Sequence, residues 1–174
     1  MYIQAMKWPA LNRRNEVVSL PCACANLRRA ARIVTQLYDH ILQPAGMKAT
    51  QFTLLQALAT VRNISQGRLG DVLGLDSTTL TRNLGLLRKK GWIQAKSGKD
   101  RREVWFALTD SGKRKYEGAL HYWHSAQKQL RTVLGEQPWR QIMESTACAA
   151  ALGSNGHRVS LSMRQRRHRH KDAK

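Results

Sequence analysis

The chain has 174 residues, enough for one domain with a proper core and short tails, and it carries a formal net charge of +19. Residues 1–20 contribute +2 and residues 153–174 contribute +6, which leaves +11 for the stretch between them; a polyanionic partner is favoured, and charge alone does not choose among DNA, RNA and anionic lipid. No apolar run reaches the roughly 20 residues of a membrane helix, and Lys7, Pro9, Asn12, Arg13 and Arg14 interrupt what would be the core of a signal peptide. The three cysteines are an odd number and do not make a disulfide scaffold. These features give the expectation of a soluble, intracellular protein without a membrane partner.

Residues 1–20 show no sustained period and read as a mobile N-terminal segment in which Ile3 and Trp8 are able to pack on a partner. From Asn26 the pattern turns helical. Leu27, Ala30, Ala31, Val34, Leu37, Tyr38 and Ile41 recur at three- and four-residue spacing, with Arg28, Arg29, Arg32 and Gln36 on the other side, until Pro44, Ala45 and Gly46 end the run. A second helix follows over about 50–60, with Phe52, Leu54, Leu55, Leu58 and Val61 expected on its buried side.

Residues 64–108 read as a helix-turn-helix followed by a two-stranded wing. Ser65 is placed to cap a short helix over 66–73, Gly74 breaks it, and Asp76 or Ser77 caps a second helix whose Leu80, Leu84 and Leu87 recur at i, i+4 and i+7. Opposite that apolar stripe lie Thr78, Arg82, Gly85 and Lys89, flanked by Ser77 and Thr81. Small hydroxyls, a guanidinium and a glycine make a face able to approach a groove closely. Arg88, Lys89 and Lys90 sit in the last turn, where the helix dipole favours cations, and Gly91 fits the position just past the end. Residues 92–96 and 103–108 are strand-like, and the turn between them is tipped with Lys99, Asp100, Arg101 and Arg102. Such a pair offers a helix to the major groove and a basic hairpin to the backbone or minor groove.

Thr109 then caps a long helix over about 110–134 with Leu120, Trp123, Ala126, Leu130, Val133 and Leu134 as its stripe. After Gly135 a last helix is expected from Gln137 or Pro138 to Ala151, with Trp139, Ile142, Met143 and Ala147 inward. The first and last helices carry more apolar surface than a small reading head needs for cover, which argues for a partner helix, most simply in a second copy of the chain. From Gly153 the composition changes, and "RQRRHRHK" cannot build a packed core. The tail over 153–174 reads as a basic disordered end; a phosphate-binding arm and metal binding by His168 and His170 are its alternatives.

The run from "ATQFTLLQAL" through "LGLDSTTLTRNLGLLRKKGWI" to "GKDRREVWFALTDSGK" resembles the MarR family of bacterial winged-helix transcription regulators, over about Cys22 to Glu144. The resemblance implies a mainly α fold with a small β wing, a domain over 21–152 with its reading head at about 48–108, and homodimers formed through the N- and C-terminal helices that bind near-palindromic double-stranded DNA. It implies a non-enzymatic, cofactor-free regulator, a repressor in the bacterial cytoplasm associated with the nucleoid. The family's Asp-x-Arg wing motif maps onto Asp100 and Arg102, with Arg102 entering the minor groove and Asp100 helping to hold the wing. Together these readings nominate Ser77, Thr78, Thr81, Arg82, Lys89, Lys99, Asp100, Arg101 and Arg102 as DNA contacts. A basic architectural or RNA-binding protein without sequence preference is the rival, and the hydroxyl-rich helix is what separates the two.

Cys22 and Cys24 stand at the start of the first helix, where the helix N-terminus and Arg28 favour a thiolate, the form a peroxide oxidises. The run from Cys24 to Tyr38, ending in "TQLY", also resembles the organic-hydroperoxide-sensing branch of the same family. That implies oxidation of Cys24 with a hydrogen bond from Tyr38 across the dimer, although Arg28 stands where that branch has a second tyrosine. Cys148 on the last helix is placed to act as a resolving thiol from the other subunit of a dimer, and otherwise reads as core. Inert packing and metal capture by the Cys-x-Cys pair are the alternatives for these thiols. His121 and His124, three apart, share a helix face but lack an evident third ligand, so stacking on Tyr122 and Trp123 is the plainer reading. Trp92 and Trp105 read as hairpin packing. No phosphate-cradling glycine loop, paired catalytic carboxylates or zinc-protease motif is present to indicate an enzyme.

Overall fold

A computed structural model describes residues 21–97 and 103–151. Its residues divide into two units at Gln36 and Leu37, inside the first helix, and each is described by itself. In the N-terminal unit, α1 (Ala23–Leu42) begins earlier than the apolar period suggests, because the Cys22 carbonyl accepts the Asn26 N–H at 3.1 Å and closes the first turn. Leu27, Ala30 and Ala31, expected inward, are exposed, Leu27 at 53%.

In the second unit, α1 ends on Leu42 and a single 3-10 turn, Gln43–Ala45, which Gly46 closes at φ 60°. Asp39 then holds the start of α2 (Ala49–Thr60): its carboxylate accepts the Ala49 N–H at 2.7 Å and lies 3.4 Å from the Lys48 ammonium. Phe52, Leu54, Leu55 and Leu58 are buried as the sequence predicts, but Val61 is 41% exposed, because the chain has turned extended there and left the helix face.

The wing gains a strand that the sequence reading lacks. β1 (Ile64–Ser65), β2 (Ile93–Ser97) and β3 (Val104–Leu108) form a three-stranded antiparallel sheet in the order β1-β3-β2. Ile64 pairs with Phe106 and Ala95 also pairs with Phe106, so the two-residue strand before the helix-turn-helix is stitched to the wing behind it. Between them lie α3 (Gln66–Leu73) and α4 (Ser77–Lys89), whose Leu69, Leu80, Leu84 and Leu87 enter one core with Phe52, Leu55, Ile93 and Phe106. Removing a buried leucine side chain of this kind costs about 2–5 kcal/mol.

α5 (Asp110–Leu134) starts where Thr109 caps it, its Oγ1 accepting the Gly112 N–H at 3.0 Å while donating to the Gly91 carbonyl at 2.6 Å. Ala119 and Ala126 are buried and Val133 is 64% exposed. Gly135, at φ 81°, interrupts the helix, and Arg131 spans the break with two 2.6 Å hydrogen bonds to Glu136. A further helix, α6, runs over 136–151, and Ile142, Met143 and Ala147, expected inward, are exposed on it. The expected N-terminal segment, the wing tip at 98–102 and the basic tail lie outside the described residues.

The glycine of "LTDSG" has a steric reason. A Cβ on Gly112 would sit 1.9 Å from the Trp92 carbonyl oxygen, a clash with backbone that no rotamer relieves. Gly112→Ala should therefore destabilise the fold by on the order of 3 kcal/mol, read as a lowered midpoint in denaturant; an unchanged midpoint would show that α5 does not need this approach.

Candidate nucleic-acid interface

The reading helix is set by its two ends. At the first, Asp76 has an extended backbone and its carboxylate accepts the Thr79 N–H at 2.9 Å and the Thr79 hydroxyl at 2.7 Å, so Asp76 rather than Ser77 is the cap. Those bonds, the backbone one first, hold the Asp76 carboxyl below its ordinary value. At the other end Gly91, at φ 69°, reverses the chain into Trp92, with the Trp92 N–H on the Leu87 carbonyl at 3.0 Å. Trp92 is buried beneath two cations, Lys90 at 4.4 Å and Lys115 at 5.3 Å from the ring centre.

Between these ends α4 buries Leu80, Leu84 and Leu87 and exposes Ser77, Thr78, Thr81, Arg82 and Lys89. Gly85 lies on the same side, and a Cβ there would meet nothing within 4 Å, so packing inside the chain does not require the glycine. Arg82, Arg88, Lys89 and Lys96 enter none of the ion pairs found among the described residues, which are Lys48 with Asp39, Lys113 with Asp110 and Arg131 with Glu136. Their charge is left for an outside anion. Lys96 faces Trp105 across the hairpin, and the indole is 36% exposed, so Trp105 packs less completely than Trp92.

Lys99, Asp100, Arg101 and Arg102 lie outside the described residues, between the end of β2 and the start of β3 in the sequence. Sequence reasoning missed Gln66, whose side-chain amide reaches from α3 to Thr81 at 2.7 Å. Periodicity gives no signal for a polar contact between helices 15 residues apart.

The sensing candidates are placed as follows. Cys22, Cys24 and Cys148 are free and exposed. Tyr38 is packed on the core and its phenol is raised above its usual value by burial. The ring of His121 lies tilted against Tyr122 with centroids 3.7 Å apart and that of His124 meets Trp123 edge-on at 4.8 Å, so neither pair stacks face to face, and among the described residues no group of three His, Cys, Asp or Glu is arranged to hold a metal. A cleft of about 540 Å³ lies between the end of α2, β3 and the start of α5, with Leu58, Leu108 and Tyr116 as apolar lining and Arg62, Lys113 and Glu117 as polar lining. Among the described residues no helix is long and apolar enough to cross a membrane.

A helix-turn-helix stitched into a three-stranded sheet, with the second helix presenting hydroxyls and cations, defines a winged helix-turn-helix protein. The MarR family model matches residues 45–103. The chain is 30% identical over 91 residues to the HTH-type transcriptional regulator YwoH of Bacillus subtilis, a match covering 52% of this chain and 66% of the relative. Among solved structures it is similar to the M. tuberculosis transcriptional regulator MosR in complex with DNA, with TM-score 0.69 and 30% identity over 77% of this chain and 97% of that one. A MarR variant from E. coli complexed with operator DNA shares the fold, with TM-score 0.66 and 23% identity over 72% of this chain and 91% of that one. The chain belongs to the MarR family of transcription regulators.

The cap makes a pH prediction. Because the Asp76 carboxyl is lowered in the folded chain, its contribution is complete above the unfolded value and is lost as pH falls through the folded one. Asp76→Asn keeps a capping oxygen without a titrating one, so this substitution should reduce the acid dependence of unfolding below about pH 4, measured as denaturation midpoint against pH; identical acid limbs would refute it.

Proposed function

We propose that the protein is a sequence-specific regulator of transcription that binds double-stranded DNA as a homodimer, a repressor released by a small ligand or by thiol oxidation. The observation that carries this reading is the exposed face of α4, with Thr78, Thr81, Arg82 and Gly85 held outward by a leucine stripe on the other side. The likeness to MosR in complex with DNA supports it. Two chains set their α4 helices in successive major grooves, about 34 Å apart along the duplex. Ser77, Thr78, Thr81, Arg82 and Lys89 read or brace the groove, while Lys99, Arg101 and Arg102 contact the flanking backbone and minor groove and Asp100 steadies the wing.

Dimerisation through the terminal helices is supported by the exposed apolar side chains they carry, Leu27 and Ile33 on α1 and Ile142 and Met143 on α6. The Cys24 thiolate is the oxidant's target, with Cys22 or Cys148 as the resolving thiol; each is exposed and accessible to a peroxide. For a small ligand, the cleft beside Tyr116 has suitable volume.

Selection of duplexes from a random pool tests the reading. A symmetric site should emerge, and equal affinity for random duplex or hairpin RNA at moderate salt would overturn it. On the selected site, Arg82→Ala should cost about 1–3 kcal/mol and relax sequence choice, whereas Arg102→Ala should flatten the plot of log affinity against log salt by about one unit. An unchanged slope would remove the wing contact. Peroxide should release the wild-type chain from DNA and leave Cys24→Ser bound; equal release of both would retire Cys24 as the sensor.

A further inference from the structure

Thr81 is bonded differently from four other helical threonines. Thr35, Thr53, Thr60 and Thr146 each donate to the carbonyl oxygen one turn back, at 2.7, 3.0, 3.0 and 2.7 Å, the ordinary resting state of a threonine inside a helix. At Thr81 the partner comes from another helix: the Gln66 side-chain Nε2 donates to Thr81 Oγ1 at 2.7 Å, across 15 residues of chain. Gln66 is the first residue of α3 and is half-buried, while Thr81 is exposed beside Arg82 and one turn on from Thr78. An amide nitrogen only donates. A hydroxyl oxygen that accepts from it keeps its own proton for another acceptor, and Thr81 stands on the exposed face of α4.

We propose that Gln66 is a positioning residue for sequence recognition, which fixes the Thr81 hydroxyl as a hydrogen-bond donor toward the major groove. The inference rests on the DNA-reading role of α4. A free hydroxyl is both donor and acceptor and therefore tolerates any base edge. A polarised one is biased: with one lone pair occupied and its proton unspent, it favours the keto oxygens of guanine and thymine over the amino groups of adenine and cytosine, which themselves donate. The clamp also fixes the Thr81 rotamer before DNA arrives, so less side-chain freedom is lost on binding.

The test compares base preferences of the full chain and its variants in selections from a random duplex pool. Gln66→Glu reverses the polarity, because a carboxylate only accepts and takes the Thr81 proton, leaving the hydroxyl lone pairs outward. At one base pair in each half-site the keto preference should change to an amino preference, by about three- to tenfold, the size of one hydrogen bond. The other positions should keep their preferences. Thr81→Val should flatten that same position, and adding Gln66→Glu to Thr81→Val should then change nothing further there. Thermal unfolding of each variant identifies a folding defect, and Thr81→Val gives an independent readout should Gln66→Glu be unstable. A folded Gln66→Glu chain with wild-type preference at every position, or one weakened equally at all positions as simple repulsion from phosphate would do, overturns the inference alone. A wild-type chain that selects no sequence overturns the DNA-reading role itself, and this inference with it.

Discussion

The close approach of α5 to the turn after the reading helix is the constraint on which the rest of the head depends. Thr109 caps α5 and in the same gesture holds the Gly91 carbonyl, its own N–H reaches the Trp92 carbonyl at 3.1 Å, and Gly112 leaves room for that carbonyl to lie against the first turn. Three contacts therefore lock the C-terminal end of α4 to the N-terminal end of the long helix. Trp92, buried between this junction and the cations of Lys90 and Lys115, fills the space the contacts enclose. The sheet adds the second restraint, because β1 and β2 both pair with β3 and so hold the two sides of the helix-turn-helix at fixed separation. A reading helix anchored this way moves with α5 rather than independently of it. A signal received along α5 then has a mechanical route to α4.

Chemistry on that side follows from what the interior does not use. No polar or charged residue is fully buried among the described residues, although the Gln127 side-chain oxygen is, so the core is built from apolar side chains and no described cation is buried. Carboxylates are too few to neutralise them, given 30 Lys and Arg against 11 Asp and Glu. A surface of this sign draws polyanions at long range and loses that attraction as salt rises. Discrimination between sequences has to come from short-range groups, and on α4 two hydroxyls are already engaged by neighbours: Thr79 donates to Asp76, and the Thr81 oxygen accepts from Gln66.

Much of the head was legible in the sequence because its signals are local. A capping side chain, a leucine at every turn and a glycine past the end are read within a few residues, and α3, α4 and the Thr109 cap fall where those signals put them. Features joining distant segments were not legible. The two-residue β1 is too short to alternate, and it exists because Phe106 lies opposite Ile64. Asp39 holds the start of α2 from the preceding helix, and Gln66 finds Thr81, through tertiary proximity alone. The terminal helices show a different gap: their apolar periods were visible, but periodicity identifies a face that wants cover and not the chain that covers it, so Leu27, Ile142 and Met143 stand exposed in one copy. Residues 98–102 of the wing carry four of the nominated contacts on resemblance and charge alone.

Gly135 has a consequence for geometry at a distance. It is a single residue outside helical conformation between two helices, stapled by the Arg131–Glu136 pair on the surface, where ion pairs are weak restraints. The sixteen residues of α6 beyond it extend about 24 Å at 1.5 Å per residue, so a pivot of about 10° at the joint sweeps the far end through about 4 Å. Such a lever converts small torsional changes into displacements comparable to the spacing of one base step, about 3.4 Å. A side chain with a Cβ at this joint would be strained by the positive φ, so the angle at which α6 leaves α5 depends on the glycine.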